Sequence, residues 1–134
     1  MNNKNFIYLV INNKKYPAKP LTNPMWVLEI KPSEIKGYST ISKFISKKFK
    51  LSEINNMGIN IYKDSTHKTL GCEFNLTYQK EDFSFICESL DFIPELFIWL
   101  RSNNLSFKDP LELENLFKDN SPIKAKEILS KKFF

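Results

Sequence analysis

The clearest pattern along this chain is an alternation of apolar and polar residues in the segment 72–79. Its apolar and polar sides consist, respectively, of Cys72, Phe74, Leu76 and Tyr78, and of Glu73, Asn75, Thr77 and Gln79. A period of two is typical of a strand with one buried and one solvated face. The polar residues 79–82 predict a hairpin loop, after which Phe83, Phe85 and Cys87 resume an apolar side. With a further alternation over 58–63, the pattern predicts a three-stranded meander over 58–88.

The segment after the meander is almost entirely apolar and predicts a helix over 90–102. Between residues 92 and 100, only Pro94 and Glu95 are not large apolar residues. Ser89 or Asp91 can cap the start of this helix, and Pro94 is tolerated because it lies in the first turn. Apolar residues cover most of the circumference. Such a helix is either buried on several sides or offers one face to a partner.

Three other segments have the pattern of helices. Over 39–50, apolar residues recur at helical spacing at Ile41, Phe44, Ile45 and Phe49. The pair Asp109-Pro110, followed by Glu112, is a helix start signal and predicts a helix over 110–119. Ser121-Pro122 repeats that signal and predicts a helix over 122–132.

Short apolar runs near the N-terminus predict further strands. Residues 6–11 and 14–19 flank Asn12-Asn13 and are typical of a hairpin, and Pro17 and Pro20 make its second arm either an edge strand or an extended exit. Residues 26–30 predict another strand, with a short helical start as the alternative, and Gly37 indicates a turn. The fold class is therefore predicted as α+β. We expect one domain, residues 1–134, in which an antiparallel sheet of about five or six strands packs with about four helices.

Composition adds limits to this fold. No run approaches the roughly 18–20 apolar residues that a membrane span requires, and the first residues lack the features of a secretory leader. We therefore expect a cytoplasmic protein without a membrane span. Cys72 and Cys87 both lie on apolar sides of predicted strands, which favours small buried hydrophobic residues over a disulfide.

Charge is unevenly distributed along the chain, although the net charge is +5. Residues 1–63 carry 11 lysines against three acidic residues, and residues 121–134 carry four lysines against one. Residues 64–120 carry five basic residues against 11 acidic ones. This pattern predicts a basic surface and an acidic surface on one molecule. The basic residues are 19 lysines and one arginine, Arg101. That imbalance disfavours sequence-specific nucleic-acid recognition, which relies on arginine.

The sequence holds little that suggests catalysis. His67 is the single histidine and lies in a predicted turn, so a Ser/His or Cys/His pair would have to use it. None of the three glycines lies in a phosphate-binding loop, and no Cys/His cluster has zinc-binding spacing. We expect no catalytic residue, no metal site and no cofactor, and we interpret the chain as a binding protein.

Two candidate binding surfaces follow from the charge pattern. The acidic surface surrounds the hairpin and the start of the apolar helix, and consists of Glu73, Asn75, Glu81, Asp82, Glu88, Asp91 and Glu95. The basic surface is the predicted helix 39–50 with Lys43, Lys47, Lys48 and Lys50. An acidic surface can cover the cationic cleft of a nuclease. A lysine-bearing helix can bind a phosphate backbone or a membrane, or it can be a solvated face.

A resemblance sharpens the protein-binding hypothesis. The segment FSFICESLDFIPELFIWL, residues 83–100, is a strand that runs into a Ser-Leu-x-Phe-Ile helix start. In this it resembles the small immunity proteins of bacterial toxin systems, including those of contact-dependent growth inhibition. The resemblance implies a one-domain inhibitor without catalytic motifs and a dedicated protein toxin as its partner.

Three functions therefore stand as hypotheses. The first is an immunity protein that binds and neutralises a cognate bacterial toxin, such as a nuclease, by blocking its active site. The second is a basic accessory protein that binds nucleic acid. The third is a phage-encoded inhibitor of a host complex. The sequence leaves the oligomeric state open.

Overall fold

The largest element of the described chain is a single mixed β-sheet. The computed structural model describes residues 7–11, 14–19, 26–39 and 46–134. The strands in these ranges are β1 (Ile7–Ile11), β2 (Lys14–Lys19), β3 (Trp26–Lys31), β4 (Glu34–Ser39), β5 (Ser46–Phe49), β6 (Ile54–Asp64), β7 (Thr69–Tyr78), β8 (Glu81–Cys87) and β9 (Phe107–Lys108). Their order in the sheet is β5-β4-β3-β1-β2-β8-β7-β6-β9. Among the described residues, β2 of the part β5-β4-β3-β1-β2 and β8 of the part β8-β7-β6-β9 are joined by two residue pairs, Ala18–Cys87 and Lys19–Ile86.

Three α-helices, α1 (Ile93–Ser102), α2 (Leu113–Asp119) and α3 (Pro122–Phe133), and a short 3-10 helix at Leu51–Glu53 complete the described chain. The three α-helices correspond to the predicted helices 90–102, 110–119 and 122–132, and two of them begin about three residues later than predicted. Neither Ser89 nor Asp91 caps α1, because its N-cap residue is Phe92 and makes no side-chain cap bond. Asp109 does cap α2, since its carboxylate accepts from the N–H groups of Leu113 and Glu114 at 2.8 and 3.0 Å.

The predicted α+β class is confirmed, but the predicted numbers of elements are wrong. The described residues contain three α-helices instead of about four, and nine strands instead of five or six. The sheet is also mixed and not purely antiparallel, because β1 pairs in parallel with β3, and β6 with β9. Of the three strands that were not predicted, β4 and β5 each pair with the strand that precedes them in the chain, and β9 pairs with β6, 50 positions earlier. The local pattern missed the first two because Gly37 indicated a turn and residues 39–50 had helical spacing, and it could not show the distant partner of β9.

The meander predicted over 58–88 is confirmed by β6, β7 and β8, which pair antiparallel in chain order. Its first strand begins earlier, at Ile54, and includes a register shift between Asn55 and Gly58. The turn between β7 and β8 is shorter than predicted, since only Gln79 and Lys80 lie outside the strands.

The helix predicted over 39–50 is wrong at both of its ends. Ser39 is the last residue of β4, and Ser46–Phe49 form β5, which pairs antiparallel with β4. Residues 40–45 lie outside the described residues. The predicted helical face depended on four apolar residues. Of these four, Phe49 lies within the described residues. It is buried as a residue of β5, because strand pairing with β4 outweighs a weak local preference for helix.

Two smaller predictions near the N-terminus are also wrong. The predicted edge strand β2 lies inside the sheet, between β1 and β8. Pro17 is tolerated there because β8 pairs only with Ala18 and Lys19, beyond the proline. Gly37 lies within β4 opposite Leu28, and the turn falls instead at Pro32-Ser33. The strand predicted over 26–30 is confirmed as β3. The Asn12-Asn13 turn lies outside the described residues.

The sheet is strongly curved. Seven strand-to-strand steps separate β5 from β6 in the sheet order, a distance of about 34 Å in a flat sheet. Only residues 50–53 connect these two strands, and that length of chain spans at most about 18 Å. The sheet must therefore curl until β5 approaches β7 and β8. The ring centroid of Phe49 accordingly lies 5.1 Å from that of Tyr78 and 5.2 Å from that of Phe83.

Helix α1 is the centre of the hydrophobic core on the inner face of the curved sheet. Leu96 and Leu100 are fully buried. The indole N–H of Trp99 donates to the carbonyl of Lys31 at 2.5 Å, and the amide of Asn103 donates to the carbonyl of Pro32 at 3.0 Å. These bonds fix the end of α1 against the β3–β4 turn. Five residues of α1 are buried, while Ile98 is 66% exposed, so the helix is buried on several sides and also leaves one apolar strip uncovered.

The two cysteines are free thiols in this core, as predicted. They face each other across β7 and β8, and both side chains are buried. Burial raises the pKa of Cys72 well above its ordinary value and that of Cys87 to about 11. The reactive thiolate form is therefore suppressed at neutral pH, and both residues serve as small apolar side chains.

Candidate functional site

The outer face of the meander presents a continuous set of polar side chains. Alternation along β7 buries Phe74 and Leu76 on the inner face and leaves the residues between them on the outer face. The register with β8 places Asn75 opposite Ser84 and Thr77 opposite Asp82. We define the polar outer face as Glu73, Asn75, Thr77, Asp82 and Ser84.

Hydrogen bonds hold the polar outer face in place. Asn75 Nδ2 donates to Glu73 Oε1 at 3.3 Å, and Ser84 Oγ donates to Asn75 Oδ1. Thr77 Oγ1 donates to Asp82 Oδ1 at 2.7 Å. Side chains that are already ordered lose less conformational freedom when a partner binds. This face is therefore pre-organised and carries two carboxylates, those of Glu73 and Asp82.

The end of the face next to β2 is closed by the backbone. A Cβ atom at Gly71 would lie 2.4 Å from the carbonyl oxygen of Cys87 and 3.2 Å from the Cα of Glu88. Only a glycine fits such an approach, and it lets the chain after β8 pass directly over β7. Ile86, opposite Glu73 in the register, is 6% exposed, so this end of the outer face is covered.

The structure gathers some of the residues predicted for the acidic surface and separates the others. Glu73, Asn75 and Asp82 share the polar outer face. Glu88 follows β8 beside Gly71. Glu81 is exposed at the β7–β8 turn and pairs in register with the buried Tyr78, so it occupies the opposite side of β8 from Asp82.

The remaining two predicted residues link elements of the fold. Glu95 Oε2 accepts a hydrogen bond from the hydroxyl of Tyr16 at 2.8 Å, and the Tyr16 ring lies 5.5 Å from that of Phe92. Burial, and then the bond to Glu95, raise the pKa of Tyr16. Asp91 forms an ion pair with Lys126, whose hydrogen bond lowers the pKa of Asp91. Both carboxylates therefore tie α1 and the chain before it to β2 and α3.

The residues predicted for the basic surface lie on and beside β5, which is at one end of the sheet order but is brought close to β7 and β8 by the curl of the sheet. Lys47 and Lys48 belong to β5, and Lys50 follows it. Lys43 lies outside the described residues. Lys48 Nζ is 3.1 Å from Glu34 Oε2, and this contact lowers the pKa of Glu34. The positive charge of β5 is therefore partly neutralised by an acidic residue of the neighbouring strand.

A groove between α1 and α2 was not anticipated by sequence reasoning. Its volume is about 380 Å³. The exposed strip of α1, with Pro94 and Ile98, forms one wall and Phe117 of α2 contributes to the other. Arg101 closes it through two hydrogen bonds to Glu114, at 2.9 and 2.6 Å. The sequence feature that could have indicated this groove is Ile98, an apolar residue on the same side of the helix as the charged Arg101.

The candidate catalytic histidine, His67, lies on the surface. His67 is exposed in the β6–β7 turn, where its Nδ1 lies 3.0 Å from Asp64 Oδ2. Within residues 7–11, 14–19, 26–39 and 46–134, no three His, Cys, Asp or Glu side chains are grouped so that they could hold a metal ion. No helix of these ranges has the length and apolar character needed to cross a membrane.

Comparison with protein-family models, with curated proteins and with solved structures finds no match to this chain.

Proposed function

We propose that this protein is a non-catalytic binding module of the immunity type, which neutralises a cognate bacterial toxin in the cytoplasm by covering its active site. The observation that carries this proposal is the polar outer face, an ordered polar surface on the meander with two carboxylates. The resemblance of residues 83–100 to immunity proteins supports the same function.

The chemistry of the polar outer face fits a cationic partner. A nuclease toxin holds phosphates in a positively charged cleft, and an acidic surface attracts such a cleft over a distance before contact. The carboxylates of Glu73 and Asp82 are the negative groups on this face. The hydrogen bonds from Asn75 and Thr77 hold them in position, so binding is expected to cost little side-chain entropy.

The same face disfavours nucleic acid as the partner, because its carboxylates repel phosphate groups. The basic surface at β5 contributes less positive charge than its lysines suggest, since Glu34 pairs with Lys48 at 3.1 Å. A protein partner is therefore favoured over a phosphate backbone.

The proposal is tested by binding to the product of the adjacent upstream gene, measured by isothermal titration calorimetry. We expect a tight complex with the native protein. The double substitution Glu73→Lys/Asp82→Lys is expected to weaken it at least about 100-fold, because reversed charges would face a cationic cleft. The matched control is Asp119→Lys/Glu127→Lys, which changes the net charge equally at exposed residues of α2 and α3. It should bind within about threefold of the native protein.

Each outcome has a distinct meaning. Absence of a complex with any neighbouring toxin would contradict the function itself. A complex that is equally tight with both double variants would retain the function and reject the polar outer face as the interface. Gel shifts with nucleic acid that weaken steeply with salt would favour the nucleic-acid hypothesis, and capture of a host complex would favour the inhibitor of such a complex.

A further inference from the structure

The second edge of β6 is only partly occupied by another strand. On one side, β6 pairs with β7 as far as Asp64. On the other side, the two-residue strand β9 pairs only with Met57 and Gly58. Among the described residues, no further strand pairs with this side of β6 beyond Gly58.

The register shows which backbone groups point toward this edge. Gln79 and Lys80 form a two-residue hairpin turn with φ of 51° and 66°, so the flanking pair Tyr78–Glu81 exchanges both of its hydrogen bonds. Hydrogen-bonded and non-hydrogen-bonded pairs alternate along the β7–β8 ladder. Counting from Tyr78–Glu81, the backbone N–H and C=O of Cys72 therefore point toward β8. Its partner on β6, Ile61, must then direct its N–H and C=O away from β7. The same holds for Lys63, two residues further on.

The side chain of Asn60 accepts a hydrogen bond from the backbone N–H group at the centre of this edge. The N–H of Ile61 donates to Asn60 Oδ1 at 2.9 Å, which agrees with the direction obtained from the register. Asn60 is itself exposed. An exposed side chain thus satisfies a backbone donor that would otherwise be available to another strand.

We infer that the β6 edge is a latent surface for pairing with a second copy of this chain, and that Asn60 keeps it closed. A second β6, antiparallel and centred on Ile61, would offer the same donors and acceptors in return, so the edge is self-complementary. Phe134 is 51% exposed, and its ring lies 5.1 Å from the ammonium group of Lys63, a residue of the same stretch of β6. It would add apolar contact to the pair.

The edge is short, which limits the strength of the pairing. Strand β9 blocks it at Gly58 and the β6–β7 turn begins after Asp64. About five residues per chain would pair, and such a contact buries less than the roughly 1,000 Å² of a stable interface. The native protein is therefore expected to remain monomeric with Asn60 in place, and to associate weakly without it.

The test is sedimentation equilibrium of Asn60→Ala over a wide range of protein concentration. Asn60 is exposed, so the variant is expected to fold, which circular dichroism checks. We expect its dimer association constant to exceed that of the native protein at least about tenfold, because one competing hydrogen bond is removed from each chain. Asn60→Asp retains the acceptor oxygen and should stay monomeric.

Two further variants distinguish pairing at the β6 edge from non-specific association. Asn115→Ala removes an exposed asparagine of α2 and should leave the protein monomeric. Lys63→Pro, added to Asn60→Ala, removes an N–H that faces the edge and should restore the monomer. The inference is overturned if Asn60→Ala is as monomeric as the native protein, or if Lys63→Pro leaves its association unchanged.

Discussion

At the scale of single residues, Gly71 is required by a contact that no local sequence pattern reveals. It is the third of the ten residues of β7, and glycine is usually unfavourable inside a strand. Its reason is the carbonyl of Cys87, 16 positions further along, which leaves no room for a Cβ atom. The sequence predicted the strand around Gly71 correctly, yet the demand for glycine arises only when β8 has paired with β7.

We expect Gly71→Ala to lower the free energy of unfolding by about 1–3 kcal/mol, because the backbone of β8 must shift to admit the methyl group. Urea denaturation measures the difference. Gly58→Ala is the matched control, since its Cβ would lie in ordinary contact, 3.8 Å from the carbonyl oxygen of Lys108. That variant should stay within about 0.5 kcal/mol of the native protein. Equal losses for the two variants would contradict the steric explanation.

At the scale of elements, the β7–β8 hairpin shows where alternation is informative and where it is not. The faces of both strands follow from their apolar positions. The turn does not, because Gln79 and Lys80 both adopt the left-handed conformation that hairpins normally assign to Asn-Gly. Four consecutive polar residues therefore predicted a four-residue loop, whereas Glu81 and Asp82 belong to β8.

The substitution Gln79→Asn/Lys80→Gly should stabilise the protein by about 1 kcal/mol, since it removes the cost of positive φ for residues with longer side chains. Thermal denaturation followed by circular dichroism provides the measurement. Lys80→Ala retains a Cβ atom at that position and should give no gain. A melting temperature that is unchanged or lower for Asn-Gly would show that the native turn is not strained.

Strand β5 is the element for which local pattern gave the wrong answer. Phe49 was assigned to a helical face together with three other apolar residues. In the structure it packs on Tyr78 and Phe83, about 30 residues away, after the sheet has curled. Long-range pairing also explains why β9 was missed, since its partner β6 lies 50 positions earlier, whereas β4 pairs with the adjacent β3. In contrast, the meander and α1 are consecutive in the chain, and their local signals were sufficient.

At the scale of the whole molecule, ion pairs connect separate elements. Glu34 and Lys48 join β4 to β5, Arg101 and Glu114 join α1 to α2, and Asp91 pairs with Lys126 of α3. In each pair, the hydrogen bond from the cation is the main reason that the pKa of the carboxyl group is lowered. The charge pattern along the sequence predicted an acidic and a basic surface, but not which acidic residue pairs with which basic residue.

These lowered pKa values predict that acid destabilises the protein. A carboxyl group with a lowered folded-state pKa contributes fully above its unfolded pKa, about 4, and loses that contribution as the pH falls through the folded value. Chemical denaturation at pH 7, 5 and 3 should therefore show a loss between pH 5 and pH 3. Glu114→Gln should reduce that loss, whereas Glu127→Gln, at an exposed residue of α3, should not. The same loss in both variants would rule out the Arg101–Glu114 pair as a contributor.

The position of α1 sets the order in which the molecule can be completed during synthesis. Strands β1 to β5 leave the ribosome first, but inner-face residues such as Ile30 and Ile35 are buried in a core centred on α1, which is made about 60 residues later. Strands β6 to β8 and α1 are neighbours along the chain and can fold on local contacts. The apolar inner face of β1 to β5 therefore stays uncovered until α1 has been translated. We expect a nascent chain halted before residue 93 to need a chaperone, and one halted after the helix to be released from it.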